Sequence, residues 1–381
     1  MVSAEKTVGF IRELYKEPDA FIPLHTPHFI GNEKDYLNEC IDSTFVSSVG
    51  PFVDRFEAWM REYTGARNAI AVVNGTAALH LSLQLAGVQR GELVVTQALS
   101  FIATCNAISY IGAEPCFVDV DGNTLGMSAD ALKRFFATCE TRGNACYHKA
   151  TGKRVSACVP MHTFGIAVEI DTIASLCEAH AVPLIEDAAE SLGTTWKGKH
   201  TGRFGLLGTY SFNGNKTVTS GGGGIIITDN DDLGKLGKHL STQSKVSHRW
   251  EFVHDHIGYN YRCPNINAAL ALAQLEQLER FIEDKRAIAN CYAEFFSSSP
   301  WRHIPIPEQC RSNHWLNALM LGSREERDSF LTYTNDHGVM TRPAWELMHR
   351  LKMFAHCIHD GLENSIDIAN RLVNLPSSYR P

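Results

Sequence analysis

Residues 69–87, AIAVVNGTAALHLSLQLAG, decide the fold. The first five are short, apolar and β-branched in part, which predicts a buried strand. Asn74-Gly75-Thr76 follows, and then a helical run that Gly87 is placed to end. Small residues where a helix begins let backbone N–H groups approach an anion, and the Thr76 hydroxyl adds a donor. An ordinary strand-to-helix turn has the same composition, so this segment alone leaves both readings open.

The pattern repeats outward. Residues 93–96, 115–120, 155–162 and 182–187 are further strand candidates. Pro51 to Tyr63 sets Phe52, Phe56, Trp59, Met60 and Tyr63 on one helical face, with Pro51 suited to the first turn. Asp171 is placed to cap a helix carrying Ile173, Leu176 and Cys177. Strands alternating with helices predict right-handed crossovers and a mostly parallel sheet covered on both faces. Ligands gather beyond the carboxyl ends of such strands. From about residue 265 the character changes. Residues 267–296 read as one long helix ended by Ser297–Pro300, residues 315–321 as a strand, and 327–338 as a helix stopped by Gly338. The expected division is an arm and large α/β domain over 1–255 and a smaller α+β domain over 256–381. Residues 139–154 read as a polar, exposed excursion.

Composition narrows the function classes. The chain has 381 residues, of which 44% are hydrophobic and 20% charged, as in ordinary globular proteins. Its net charge of −7 argues against a general nucleic-acid binder. No apolar run is long enough to span a bilayer, and the N-terminus lacks a signal-peptide pattern. Eleven scattered cysteines without a C-x-x-C pair point to free thiols in a reducing cytoplasm. Seventeen histidines include no H-E-x-x-H pair, so no metal site is expected.

Three further segments could carry chemistry. Glu186-Asp187-Ala188-Ala189-Glu190 ends an apolar strand, where a carboxylate enters the crevice or complements a helix dipole. Ser211 to Thr217 and the glycines 221–224 superficially resemble a P-loop, but Asn215 separates Gly214 from Lys216, and the upstream glycine spacing is wrong. The glycine run nevertheless implies backbone packed close to something. Gly258-Tyr259-Asn260-Tyr261-Arg262 fits either a polar site or an interdomain hinge.

The segments NGTAALH (74–80), SFIATCNAISYIGA (100–113), PMHTFG (160–165), IEDAAESLG (185–193), SFNGNK (211–216) and GYNYRCPNINAALALAQLEQL (258–278) occur in a characteristic order. Together the set resembles the DegT/StrS-type nucleotide-sugar aminotransferases. These are pyridoxal phosphate (PLP) enzymes of fold type I, the aspartate-aminotransferase fold. The segments FIPLHTPHFIGN (21–32), SSVGPFVDRFE (47–57), HRWEFVHDHIGYNYR (248–262), GVMTRPAW (338–345) and NLPSS (374–378) are similar to the branch acting in legionaminic-acid and bacillosamine synthesis.

The resemblance implies roles. Lys216 stands where the family lysine joins the cofactor aldehyde, and Asp187 where a carboxylate pairs with the pyridine nitrogen. Glu190 lies near the ring, although many relatives have Gln or His there. Phe101 stacks on the ring. Gly75, Thr76, Ala77, Ser211 and Asn213 fall in the segments that cradle the cofactor. Asn260 reaches the cofactor phosphate of a neighbouring subunit, which implies a homodimer with shared sites. The cofactor would cycle between PLP and pyridoxamine phosphate. The donor would be L-glutamate, and the acceptor a UDP-linked 4-keto-6-deoxy-N-acetylhexosamine aminated at carbon 4, for bacterial surface glycans. Arg249, Arg342 and His314 are the expected substrate contacts, since guanidinium matches carboxylates and diphosphates; both arginines could equally hold the dimer together, and His314 and His162 fit structural roles as well. A GDP- or dTDP-linked acceptor is the alternative, and a non-catalytic regulator on the same fold is a third reading. Sugar dehydratases of this family replace the lysine with histidine, and Lys216 disfavours that chemistry.

Overall fold

In a computed structural model, residues 2–380 are described. The central sheet is built from β1 (Asn68–Val72), β2 (Leu93–Gln97), β3 (Glu114–Val118), β4 (Arg154–Val159), β5 (Ile185–Asp187), β6 (Leu207–Ser211) and β7 (Gly224–Thr228). β3, β2 and β4 pair in parallel. Parallel bridges from Cys158 to Leu184 and from Met161 to Asp187 carry the sheet on to β5, which pairs in parallel with β6. β7 runs antiparallel between β6 and β1 and is the one reversed strand of the seven. Every residue of β2, β6 and β7 is buried, as expected for strands covered on both faces.

Helices supply the cover. α1 (Ala4–Tyr15) opens on a Ser3 cap. α2 (Pro51–Thr64) has Pro51 in its first turn and ends on Gly65. It drives Phe52, Phe56 and Met60 to near-zero exposure, at roughly 1.5–3 kcal/mol each. α3 (Gly75–Leu85) and α4 (Ile102–Ile111) begin directly beyond β1 and β2. α5 (Asn265–Leu275) packs on α2, and α6 (Leu278–Phe296) follows. A second, antiparallel sheet lies in the C-terminal part, with β8 (Arg302–His303), β9 (Asn317–Met320), β10 (Arg342–Pro343) and β11 (Leu372–Leu375) in the order β8-β9-β11-β10. Val8 and Ile11 of α1 share a core with Ile288, Phe330 and Val373. The N-terminal arm is therefore seated on C-terminal elements.

Three local expectations are corrected. Residues 139–154 are largely exposed at their turns, as read, but they are paired strands rather than a loop. Cys139–Arg142 and Ala145–His148 form a hairpin that pairs with the start of β4, and Cys139, Cys146 and His148 are buried while the other polar residues face out. The helix expected over 267–296 is two helices, broken at Glu276–Gln277. At the break, Asn32 and Tyr36 hydrogen-bond the Glu276 carboxylate at 2.8 and 2.7 Å. Asp171 is not a cap; Glu169 precedes the helix, and Asp171 accepts from the Trp196 indole at 2.6 Å. All eleven cysteines are free thiols. Among the described residues, no helix is long and apolar enough to cross a membrane.

Candidate active site

The carboxyl ends of β1, β5 and β6 converge on a cavity of about 280 Å³. At one end lies the start of α3. Asn74 caps the helix by accepting from the Ala77 N–H at 2.8 Å. Gly75 and Thr76 line the cavity opposite Ser211. A Cβ on Gly75 would stand 2.9 Å from the Ser211 Cβ, and one on Gly224 would stand 2.4 Å from the Asn74 carbonyl oxygen. Only glycine at 75 and 224 leaves this cradle open. Helix N–H groups, a threonine and a serine make a site for an anion. The Ala77 N–H is engaged by the Asn74 cap, and its side chain is buried.

The floor carries Asp187, at the end of β5 and 2% exposed. Its Oδ2 accepts from the Thr104 hydroxyl at 2.7 Å and its Oδ1 from the Ala189 N–H at 3.2 Å. Burial raises its pKa against the opposing effects of those bonds and of Lys216 and His162. A carboxylate in this position calls for a cationic or N–H partner from a ligand. Neighbouring Glu186 has a different task. It accepts from the Gly202 and Gly205 N–H groups at 2.7 and 2.8 Å and pairs with the fully buried His162 at 3.1 Å. His162 is thus built into the support beneath the site.

Lys216 rises from the loop after β6. Its Nζ lies 3.2 Å from Glu190 Oε1 and 4.1 Å from the centroid of the Trp315 ring. The other Glu190 oxygen accepts from the Phe164 N–H at 2.9 Å, and burial raises the pKa of this carboxyl. Phe101 lines the cavity and meets Trp345 edge to face at 6.0 Å. Asn213 lies on the rim. Asn313 staples the loops together, donating to the Glu190 and Leu192 carbonyls at 2.9 Å and to Thr217. The ensemble fits PLP: an anion cradle, a buried acid, an aromatic wall and a primary amine share one cavity.

The remaining expected residues lie elsewhere. His314 does not reach this cavity. It lines another one with Arg286 and His303, and burial pushes its pKa down to about 3. Arg249 is exposed, with its guanidinium 5.5 Å from the Trp250 ring, and Asn260 is exposed on the same strap. Arg342 lines an adjoining cavity and donates to Asn335 at 2.9 Å. Thr104, Trp315 and Trp345 belong to the site or its support, and sequence reading passed over them. Trp315 sits at the head of a run that reads as an ordinary core strand, and nothing in its spacing distinguishes a wall from a core residue.

Residues 28–380 match the DegT/DnrJ/EryC1/StrS aminotransferase family. GDP-perosamine synthase of Vibrio cholerae is 35% identical over 361 residues, covering 93% of this chain and 94% of the relative. EpsN of Bacillus subtilis, named as a pyridoxal phosphate-dependent aminotransferase, is 35% identical over 361 residues, covering 93% and 90%. Among solved structures, the aminotransferase TlmJ of Streptoalloteichus hindustanus superposes with a TM-score of 0.85 at 26% identity, covering 94% of each chain.

Proposed function

The chain belongs to the DegT/DnrJ/EryC1/StrS aminotransferase family, and on that premise we propose that it moves an amino group from L-glutamate to carbon 4 of a nucleotide-linked 4-keto-6-deoxyhexose. It is a PLP-dependent aminotransferase of fold type I. The observation that carries the assignment is the single cavity in which the Lys216 amine, the buried Asp187 and the α3 cradle meet. PLP, when bound, supplies an aldehyde that takes up amines and a ring that accepts the electron pair left when a carbon loses its proton.

The chain's own residues do the rest. The Gly75 and Thr76 N–H groups and the Ser211 hydroxyl would hold the phosphate of bound PLP, Asp187 would keep its ring nitrogen protonated, and Phe101 would wall its ring. Thr104 fixes the orientation of the Asp187 carboxylate. The Lys216 amine would serve as nucleophile and as the base that moves a proton. Glu190, bonded to Lys216, holds that amine in the cavity.

The GDP-perosamine synthase relative supports a GDP-linked acceptor. The segments 21–32, 47–57 and 248–262 support a second reading, a UDP-linked 4-keto-6-deoxy-N-acetylhexosamine. A homodimer is also part of the proposal. Phe252 is 79% and Ile257 89% exposed on the strap that carries Arg249 and Asn260, an apolar surface suited to a second copy. Arg249 and Arg342 are the proposed anion contacts, and the proposed location is the cytoplasm. Incubating the holoenzyme with glutamate and a panel of GDP-, UDP- and dTDP-linked 4-keto sugars tests the assignment. Mass and stereochemical analysis of the product identifies the acceptor, and failure to aminate any member would sink the proposal.

A further inference from the structure

A second cavity of about 460 Å³ adjoins the first, and Asn215, Trp315 and Trp345 line both. Its other walls come from distant parts of the chain: His25 in the N-terminal arm, Arg342 on β10 and Asn374 on β11. The arm is held in place on either side of His25. Ile22 exchanges backbone hydrogen bonds with Gly338 and Met340, and the Thr26 N–H donates to Ser378 at 2.9 Å.

Both ring nitrogens of His25 and Oδ1 of Asn374 are shut off from solvent and have no hydrogen-bond partner among the described residues. Asn374 is only 3% exposed. Orphaned buried polar atoms cost stability, and native proteins keep few of them. Both residues line this one cavity, which adjoins the one that holds the Lys216 amine. Burial, aided by the charges of Lys285, His28 and Lys216, lowers the His25 pKa well below its ordinary value, so the imidazole is neutral. A neutral imidazole offers one donor and one acceptor, and an amide oxygen only accepts. That set suits hydroxyl and amide groups on a neutral sugar ring. A phosphate instead requires donors or cations, which Arg342 supplies at the exposed rim.

Resting on the nucleotide-sugar reading above, we infer that His25 and Asn374 are acceptor-specificity residues that bind polar groups of the hexose ring beside Lys216. The N-terminal arm is then part of the substrate site.

The test uses His25→Phe, His25→Gln and Asn374→Leu holoenzymes, with the 4-keto sugar that the wild type aminates. KM for that sugar rises about tenfold or more in His25→Phe and Asn374→Leu. His25→Gln, which keeps a donor and an acceptor, recovers part of the loss. The half-reaction with glutamate alone, followed by cofactor absorbance, keeps its wild-type rate. Melting temperatures stay level or rise in the two apolar variants, because a similarly shaped apolar group replaces an orphan. An unchanged acceptor KM, or loss of both half-reactions in step, overturns the inference while leaving the aminotransferase assignment intact. A wild type that aminates no sugar in the panel removes the acceptor reading and this inference together.

Discussion

Lys216 and Asp187 face one cavity but carry opposite burdens. Lys216→Ala removes nucleophile and base at once, and turnover should fall on the order of 10⁴-fold with the fold retained. Near-wild-type turnover in steady-state assays would refute its role. Asp187 is held at a cost to the cofactor-free protein. Burial raises its folded pKa above the ordinary 3.8. Between 3.8 and that raised value the native state binds the extra proton, so this group makes the cofactor-free protein less stable as pH rises through the window. Asp187→Asn should therefore leave the melting temperature of cofactor-free enzyme at pH 7 unchanged or higher, while the stabilisation on adding PLP shrinks and turnover drops by about 10²–10³-fold. Paired melting curves with and without PLP check this, and a lower cofactor-free melting temperature would contradict the buried-charge account. The family resemblance singled out both residues in the sequence, and the structure places both at the one cavity. Thr104 was not singled out, since a threonine inside a helix signals nothing until its hydroxyl is seen against Asp187.

Among the elements, the β1–α3 unit was read nearly to the residue, because a strand, a capped turn and a glycine stop are all local signals. Its tightest constraint was not local. β7 can lie beside β1 and β6 only because position 224 has no side chain to meet the Asn74 carbonyl. Gly224→Ala should destabilise the fold by about 1–3 kcal/mol and weaken PLP binding by displacing the cradle. Urea unfolding and PLP titration measure the two effects, and an alanine variant matching wild type in both would show that the approach is not limiting. The helix break at Glu276–Gln277 was illegible for the opposite reason. The residues have good helical patterning, and the partners of Glu276 at the break, Asn32 and Tyr36, lie some 240 positions away in sequence. The 139–154 hairpin was missed because its outward polar residues outnumber the buried cysteines that anchor it.

For the whole molecule, the proposed homodimer with shared active sites predicts an outcome that a single chain cannot give. Lys216→Ala disables its own site, whereas Asn260→Ala should weaken the site of the neighbouring subunit. Mixing the inactive and the weakened variant under subunit exchange should raise activity well above the sum of the parents, because one site of each mixed dimer regains both groups. Activity equal to that sum would show that Asn260 serves its own chain or no site. The exposed strap with Phe252 and Ile257 is the surface proposed to meet the second copy.

By itself the sequence determined the alternating α/β framework and the aminotransferase family motifs, and it singled out Lys216 as the proposed reactive amine. Each is written in a contiguous segment whose periodicity, turn chemistry or motif can be read without knowing what packs against it. Only the tertiary structure decided which side chains complete the site. It brought Trp315, Asn374 and His25 from three remote segments to the edge of one cavity, and it turned His314 away into another. Long-range packing, set by buried area and by hydrogen bonds between segments far apart in the chain, leaves no periodic trace in the residues it joins.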